Sequence, residues 1–255
     1  RDISFYENND LGVIVYGYPY TVTEPRWISA VDAYSMYEVK AESFVNDLDG
    51  SFAILVYDKQ NQIIKAFVDP YKIYTFYINK SDDSVIISNR LSETLTGNHS
   101  VNETAIFEFL NFGFVIGEKT IFNNVKTLPG GSMLTINNKL DVAKEKYFNY
   151  NKECDESTKN DYFNEFNNNV RLVSSLSDQL SMPLTGGLDS RTVLSGCLEF
   201  KDKLHCYTHG LRDSEDVKLA KKISKELNIN HSHYNEVNND FIKDIPDIAG
   251  RLTDV

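Results

Sequence analysis

The stretch that most restricts how this chain can fold is Leu184-Thr185-Gly186-Gly187-Leu188-Asp189-Ser190-Arg191. It is set between a short apolar run, Ser181 to Leu184, and a helical pattern from Ser190 to Phe200. Two adjacent glycines at a strand-to-helix junction let the backbone approach a ligand with no Cβ in the way. Amides there point at an anion, and the dipole of the following helix adds attraction. Thr185 and Ser190 bring hydroxyl donors. Asp189 would be repelled by bare phosphate, so its role in such a loop is to hold Mg2+ that bridges phosphate oxygens. The spacing is not that of a G-x-x-x-x-G-K-[ST] loop, since the glycines are adjacent and no lysine follows. The plainer reading is a turn in which the glycines only relieve strain. The Asp-Ser pair, the strand before and the helix after favour a phosphate ligand, ATP, over that turn.

Around the loop, strand and helix alternate. Phe163, Phe166, Val170, Val173 and Leu176 fall on one helical face. Strand patterns follow at Ser181–Leu184, Lys203–His209 and His231–Tyr234, with a helix at Glu215–Leu227. This order implies a parallel sheet with right-handed crossovers. The first ~150 residues read differently, as strands and turns broken by two helical stretches. Strands are expected at Leu11–Tyr20, Ser51–Asp58, Ile63–Asp69, Tyr74–Asn79, Ser84–Ser88 and Met133–Ile136. Helical spacing runs from Ile28 to Phe44, and again from an Asn102 cap to about Asn111. Leu128-Pro129-Gly130-Gly131 marks a tight turn, and polar Asn149–Lys159 is the linker candidate. The fold class is therefore α/β plus α+β, with domains at 1–150 and 151–255.

The net charge of −11, from 37 acidic and 26 basic residues, contains no Lys/Arg block, which argues against a nucleic-acid surface. An acidic protein must bind ATP locally, through amides and a metal. No apolar run approaches the ~20 residues that span a bilayer. Arg1-Asp2-Ile3-Ser4-Phe5 carries no secretory stretch, so the cytoplasm, without membrane partners, is the expected location. Cys154, Cys197 and Cys206 lack zinc-like spacing, and the last two read as buried free thiols. His231 and His233 share a strand face but have no third ligand nearby, so a sheet-end pair is the better reading than a metal site. The 15 tyrosines and 15 phenylalanines are dispersed over strands, which suits core packing rather than base stacking.

Thr185-Gly186-Gly187-Leu188-Asp189-Ser190 resembles the S-G-G-x-D-S signature of the PP-loop ATP pyrophosphatases, with threonine for the first serine. Cys206-Tyr207-Thr208-His209-Gly210, Glu215-Asp216-Val217-Lys218-Leu219-Ala220 and Leu227-Asn228-Ile229-Asn230-His231 are similar to the synthetase half of asparagine synthetases. Leu48-Asp49-Gly50-Ser51-Phe52-Ala53, Asp69-Pro70-Tyr71-Lys72-Ile73-Tyr74, Ser88-Asn89-Arg90-Leu91-Ser92-Glu93, Thr120-Ile121-Phe122 and Leu128-Pro129-Gly130-Gly131-Ser132 resemble that family's glutaminase domain, in the same order. The resemblance implies an N-terminal Ntn-hydrolase-like αββα sandwich followed by the start of a PP-loop domain. It implies ATP and Mg as cofactors, with Leu184, Thr185, Gly186, Gly187, Asp189 and Ser190 at the pyrophosphate and Asp189 on the magnesium. Thr208, His209 and Gly210 would lie on the adenine side. The implied partners are a small-molecule carboxylate and an amine, and a homodimer is an assembly it allows.

Two departures accompany the resemblance. The family's glutaminase uses an N-terminal cysteine nucleophile; this sequence starts at Arg1, its first cysteine is Cys154, and no glutaminase catalytic residue is identified. The R-L-S-I motif has no counterpart, and Tyr16-Gly17-Tyr18 stands where N-G-E would read glutamine. A G-x-G-x-D-E loop is absent between Tyr234 and Val255, which implies a fragment or a lost reaction. The favoured reading is an ATP-dependent amide-bond-forming enzyme that activates a carboxylate as an acyl-adenylate. The alternative is a non-catalytic nucleotide-binding or scaffold module.

Overall fold

The computed structural model describes residues 3–150 and 162–235, which form two compact units divided at Lys152–Glu153. Most of the linker candidate, Cys154 and the residues searched for the downstream loop beyond Asn235 lie outside the described residues.

The first unit contains β1 (Ile3–Glu7), β2 (Leu11–Thr21), β3 (Arg26–Trp27), α1 (Ala30–Lys40), β4 (Leu48–Asp58), β5 (Ile63–Val68), β6 (Tyr77–Lys80), β7 (Val85–Ser88), α2 (Glu103–Phe112), β8 (Val125–Thr127), β9 (Ser132–Ile136) and β10 (Val142–Lys146). A large antiparallel sheet runs β1-β2-β4-β5-β9-β10, with β3 on β2, and a small one runs β7-β6-β8. The period of two along a strand sorts side chains between two cores. Phe52, Ile54 and Val56 of β4 join Val13 and Val15 of β2 under Ala30 and Ala33 of α1. Ala53 of β4 and Ala66 and Val68 of β5 face the other way, against Phe76, Ile78 and Leu128 beside the small sheet.

The helix read as Ile28–Phe44 begins at a Ser29–Asp32 capping box and stops at Lys40. Ala41 takes φ +46, and a 3-10 stretch, Ala41–Asp47, then turns Phe44 and Val45 into the core. The fourth layer of the expected sandwich is thin. Helix α2 is capped by Asn102 as read, but it buries only Ala105 and leaves Phe107, Phe109, Leu110 and Phe112 exposed.

Asp69 ties the two sheets together. It is fully buried, and its Oδ1 accepts from the N–H groups of Tyr71 (2.9 Å) and Ile73 (3.2 Å), while Oδ2 accepts from those of Tyr74 (3.1 Å) and Phe52 (3.2 Å). Its own N–H donates to Phe52, and its carbonyl accepts from Lys72 and Gly131. A buried carboxylate survives only when its lone pairs are met in this way.

The second unit contains α3 (Tyr162–Ser175), β11 (Leu180–Pro183), α4 (Leu188–Cys197), β12 (Leu204–His209), α5 (Glu215–Leu227) and β13 (Asn230–Tyr234). The three strands pair in parallel in the order β11-β12-β13. Met182, Leu184, Leu194, Leu204, Ala220 and Ile229 form its core, together with Cys197 and Cys206. Both thiols are buried and free, and burial pushes that of Cys206 up to about 11. Of the face read on α3, Val170 packs on this core, whereas Phe163 is exposed. Among the described residues no helix is long and apolar enough to cross a membrane.

Replacing Asp69 by Ala leaves the buried N–H of Phe52 and the part-buried N–H groups of Tyr71, Ile73 and Tyr74 without their acceptor, at a cost of ~1–3 kcal/mol for each group left unsatisfied. We expect a loss of more than ~3 kcal/mol in the first unit. Denaturant titration followed by Trp27, the single tryptophan, reads this unit alone. A midpoint equal to that of the wild type would contradict the role given to Asp69.

Candidate nucleotide site

Strand β11 ends at Pro183 and its pairing continues for one more residue, the buried Leu184, whose N–H donates to Tyr207 O at 2.8 Å. Beyond it the chain leaves the sheet as Thr185-Gly186-Gly187 and enters α4 at Leu188, two residues before the expected start. Asp189 and Ser190 therefore lie in the first helical turn.

All three amides ahead of the helix are engaged within the protein. The Thr185 N–H donates to Ser190 Oγ (3.2 Å), and that of Gly187 donates to Thr185 Oγ1 (3.0 Å). The Gly186 N–H donates to Asp216 Oδ1 of α5, at 2.8 Å. The N-cap, Gly187, offers no side-chain acceptor to the helix. The N–H groups of Leu188, Asp189 and Ser190 consequently have no partner among the described residues. Three outward donors, the positive end of the helix dipole and the Thr185 and Ser190 hydroxyls (3.1 Å apart) form an anion-binding corner. Exposed Asp189 adds one hard carboxylate, which fits Mg2+ held by a single protein ligand together with phosphate oxygens. No group of three or more His, Cys, Asp or Glu able to hold a metal occurs among the described residues.

The residues assigned to the adenine side divide into two roles. Thr208 is buried, and its Oγ1 donates to Leu184 O at 2.6 Å. That leaves His231 Nε2, 2.8 Å away, as the donor to Thr208 Oγ1. Burial, reinforced by Lys221, His233 and His205, holds the His231 pKa below its ordinary value. Thr208 thus braces the loop from within the sheet. His209 is exposed and stacks on Tyr234, with ring centroids 5.1 Å apart and planes at 21°. Gly210, at φ +141, lets the chain turn away there, and its carbonyl receives His233 Nε2 at 2.9 Å. With both of its nitrogens engaged, by Gly210 O and Lys221 Nζ, His233 is not a free metal ligand.

Three participants were not read as part of this site: Asp216, Tyr234 and the His231 bridge to Thr208. Asp216 lies 30 residues from Gly186, and no local pattern links them.

Within β2 of the first unit, Gly17 takes φ +95 between Tyr16 and Tyr18. Tyr16 packs edge-on against Tyr74 (4.6 Å), and Tyr18 and Tyr20 flank Trp27 (6.0 and 5.9 Å). Burial and Asp49 push the Tyr20 hydroxyl up to about 12.

In chain order, then, an antiparallel two-sheet unit is followed by a parallel unit that carries this loop. Residues 24–148 match the model of the glutamine amidotransferase domain, and residues 169–254 match that of asparagine synthase. The chain belongs to the asparagine synthetase family. It is 22% identical over 221 residues to asparagine synthetase [glutamine-hydrolyzing] 1 of Bacillus subtilis (strain 168), covering 84% of this chain and 35% of that protein. To the probable asparagine synthetase of Dictyostelium discoideum it is 22% identical over 245 residues, covering 85% and 39%. The chain thus spans about a third of the length of the curated relatives it matches. Superposition on the allosteric regulatory enzyme of purine biosynthesis is loose, at 9% identity and a TM-score of 0.36 over 91% of this chain and 62% of that one.

Gly187 has φ −66, and a Cβ there would meet only Thr185 Oγ1, at 3.1 Å. Gly187→Ala should therefore change apo stability by ~1 kcal/mol or less. The added methyl would sit beside the hydroxyl that faces the anion-binding corner, so the rise in melting temperature on adding Mg-ATP should disappear. A shift of normal size in this variant would show that the glycine serves only the turn.

Proposed function

We propose that the protein takes part in ATP-dependent amide-bond formation, in which a carboxylate is activated as an acyl-adenylate with release of pyrophosphate. The observation that carries this reading is the set of unpartnered first-turn N–H groups of α4, beside Asp189 and two hydroxyls, at the carboxyl edge of a parallel sheet. Membership of a family whose curated relatives are named asparagine synthetases supports it.

In this reading the amides of Leu188, Asp189 and Ser190 hold the phosphates through the adenylation step, where negative charge moves toward the leaving pyrophosphate. Thr185 and Ser190 orient that group, and the stacked His209–Tyr234 pair flanks the base. Mg2+ on Asp189 would supply charge neutralisation when bound. An amine then displaces AMP from the activated carboxylate. The substrates are small molecules, and the setting is the cytoplasm. In the first unit, Tyr16 and Tyr18 take the places from which glutamine would be read, and we assign that unit no glutamine hydrolysis.

Asp189→Ala tests the reading. Losing a charge-assisted contact of this kind costs ~1.5–3 kcal/mol. Mg-ATP affinity, measured by calorimetry on the intact protein, should fall by roughly 10- to 150-fold. The dependence of binding on magnesium should fall with it. Equal affinity for wild type and variant would refute the assignment.

A further inference from the structure

We infer that Asp216 is a positioning residue of the nucleotide loop. Its carboxylate clasps Gly186, so that the amides at the start of α4, and not those of the glycines, are presented to phosphate. The second half of this inference rests on the nucleotide reading above; the clasp itself does not.

The contact spans 30 residues and joins the chain after β11 to the first turn of the helix after β12, with Gly186 N–H donating to Asp216 Oδ1 at 2.8 Å. Its anchor is rigid. Ser214 caps α5 by accepting from the Val217 N–H, and Val217, Ala220 and Ser224 are buried beneath the helix. Asp216 lies at the positive end of that helix, where a carboxylate is stabilised without burial. The clasp also accounts for the glycine. A Cβ on Gly186 would come 2.8 Å from Asp216 Oδ1 and 3.3 Å from Leu219 Cδ2. Gly186 does not take a positive φ, so a side chain there would meet no backbone strain but would have to displace the Asp216 carboxylate. With Thr185 and Gly187 also donating internally, the clasp completes a loop whose shape is fixed before a ligand arrives. The donors left outward are those of Leu188, Asp189 and Ser190.

The opposing arrangement would make Asp216 a stand-in for phosphate, displaced when the nucleotide enters. The two differ in sign. If Asp216 positions the loop, Asp216→Ala should weaken Mg-ATP binding by roughly tenfold or more, as for loss of a hydrogen bond to a charged group. Asp216→Asn keeps an oxygen acceptor and should stay within about threefold of wild type. Gly186→Ala pushes the same two groups apart, so the double variant should cost little more than Asp216→Ala alone.

The experiment is calorimetry of Mg-ATP on these four variants and wild type, joined to amide hydrogen exchange at Gly186 in the ligand-free protein. Faster exchange in Asp216→Ala, restored by Asn, with weakened binding in Ala alone, supports the inference. Unchanged exchange in Asp216→Ala overturns the clasp. Unchanged or tighter Mg-ATP binding in that variant overturns the positioning role. A wild type that binds no Mg-ATP refutes the nucleotide reading and the positioning role together, while Gly186 exchange still decides the clasp.

Discussion

The parallel pairing of β11 with β12 is the constraint on which the candidate site depends. Leu180 to Pro183 lie opposite Leu204 to Tyr207, and the Leu184 N–H extends the ladder by one rung. Parallel strands deliver their carboxyl ends to the same edge of a sheet. The loop at 185–187 and the Thr208–Gly210 corner must therefore emerge side by side. Thr208 fixes their spacing with a hydrogen bond to Leu184 O, and His231 of β13 backs Thr208. The start of α5 returns beside the loop and takes the Gly186 amide. A loop bonded at each of its three amides leaves the next helical turn as the outward donor set, which is how a helix start becomes an anion site.

The first unit uses a different device. Its two sheets bury apolar faces against one another, and the turn from β5 toward β6 must cross between them with its backbone groups satisfied. Asp69 meets that need by accepting from four N–H groups. The conformation of 70–74 depends on this buried acceptor more than on any local propensity of those residues. Along β2 of the same unit, Tyr18 and Tyr20 pack on Trp27, and Tyr16 packs on Tyr74.

Much of this was legible in the sequence, and the rest was hidden for physical reasons. Helix α5 was read to its end residues, because Ser214, the acidic first turn and Asn228 mark its limits locally. Strands β4 and β5 were also read, β4 from Ser51 rather than Leu48 and β5 one residue too far, since apolar residues fill both faces of central strands. Strands β1 and β10 were missed. They lie at the two edges of the large sheet, and Val142-Ala143-Lys144-Glu145-Lys146 is nearly all exposed, so no apolar alternation announces it. The break after α1 was missed because Ala41 gives no sign of a left-handed conformation. At the site, the residue types of the loop pointed to phosphate, but the donors credited were the glycine amides. Their true partners, Asp216 above all, come from an element 30 residues away, and only the fold brings them together.

The most direct test of the account is to follow the backbone amides of residues 184–191 by 15N–1H NMR as Mg-pyrophosphate, then Mg-ATP, is added to the intact protein. The account predicts the largest shifts at Leu188, Asp189 and Ser190 with both ligands, and a smaller one at Gly186, whose amide stays on Asp216. Mg-ATP alone should also move His209 and Tyr234. Shifts centred on Gly186 and Gly187 with the Leu188–Ser190 amides unmoved, or no shift in this segment at saturating ligand, would contradict it.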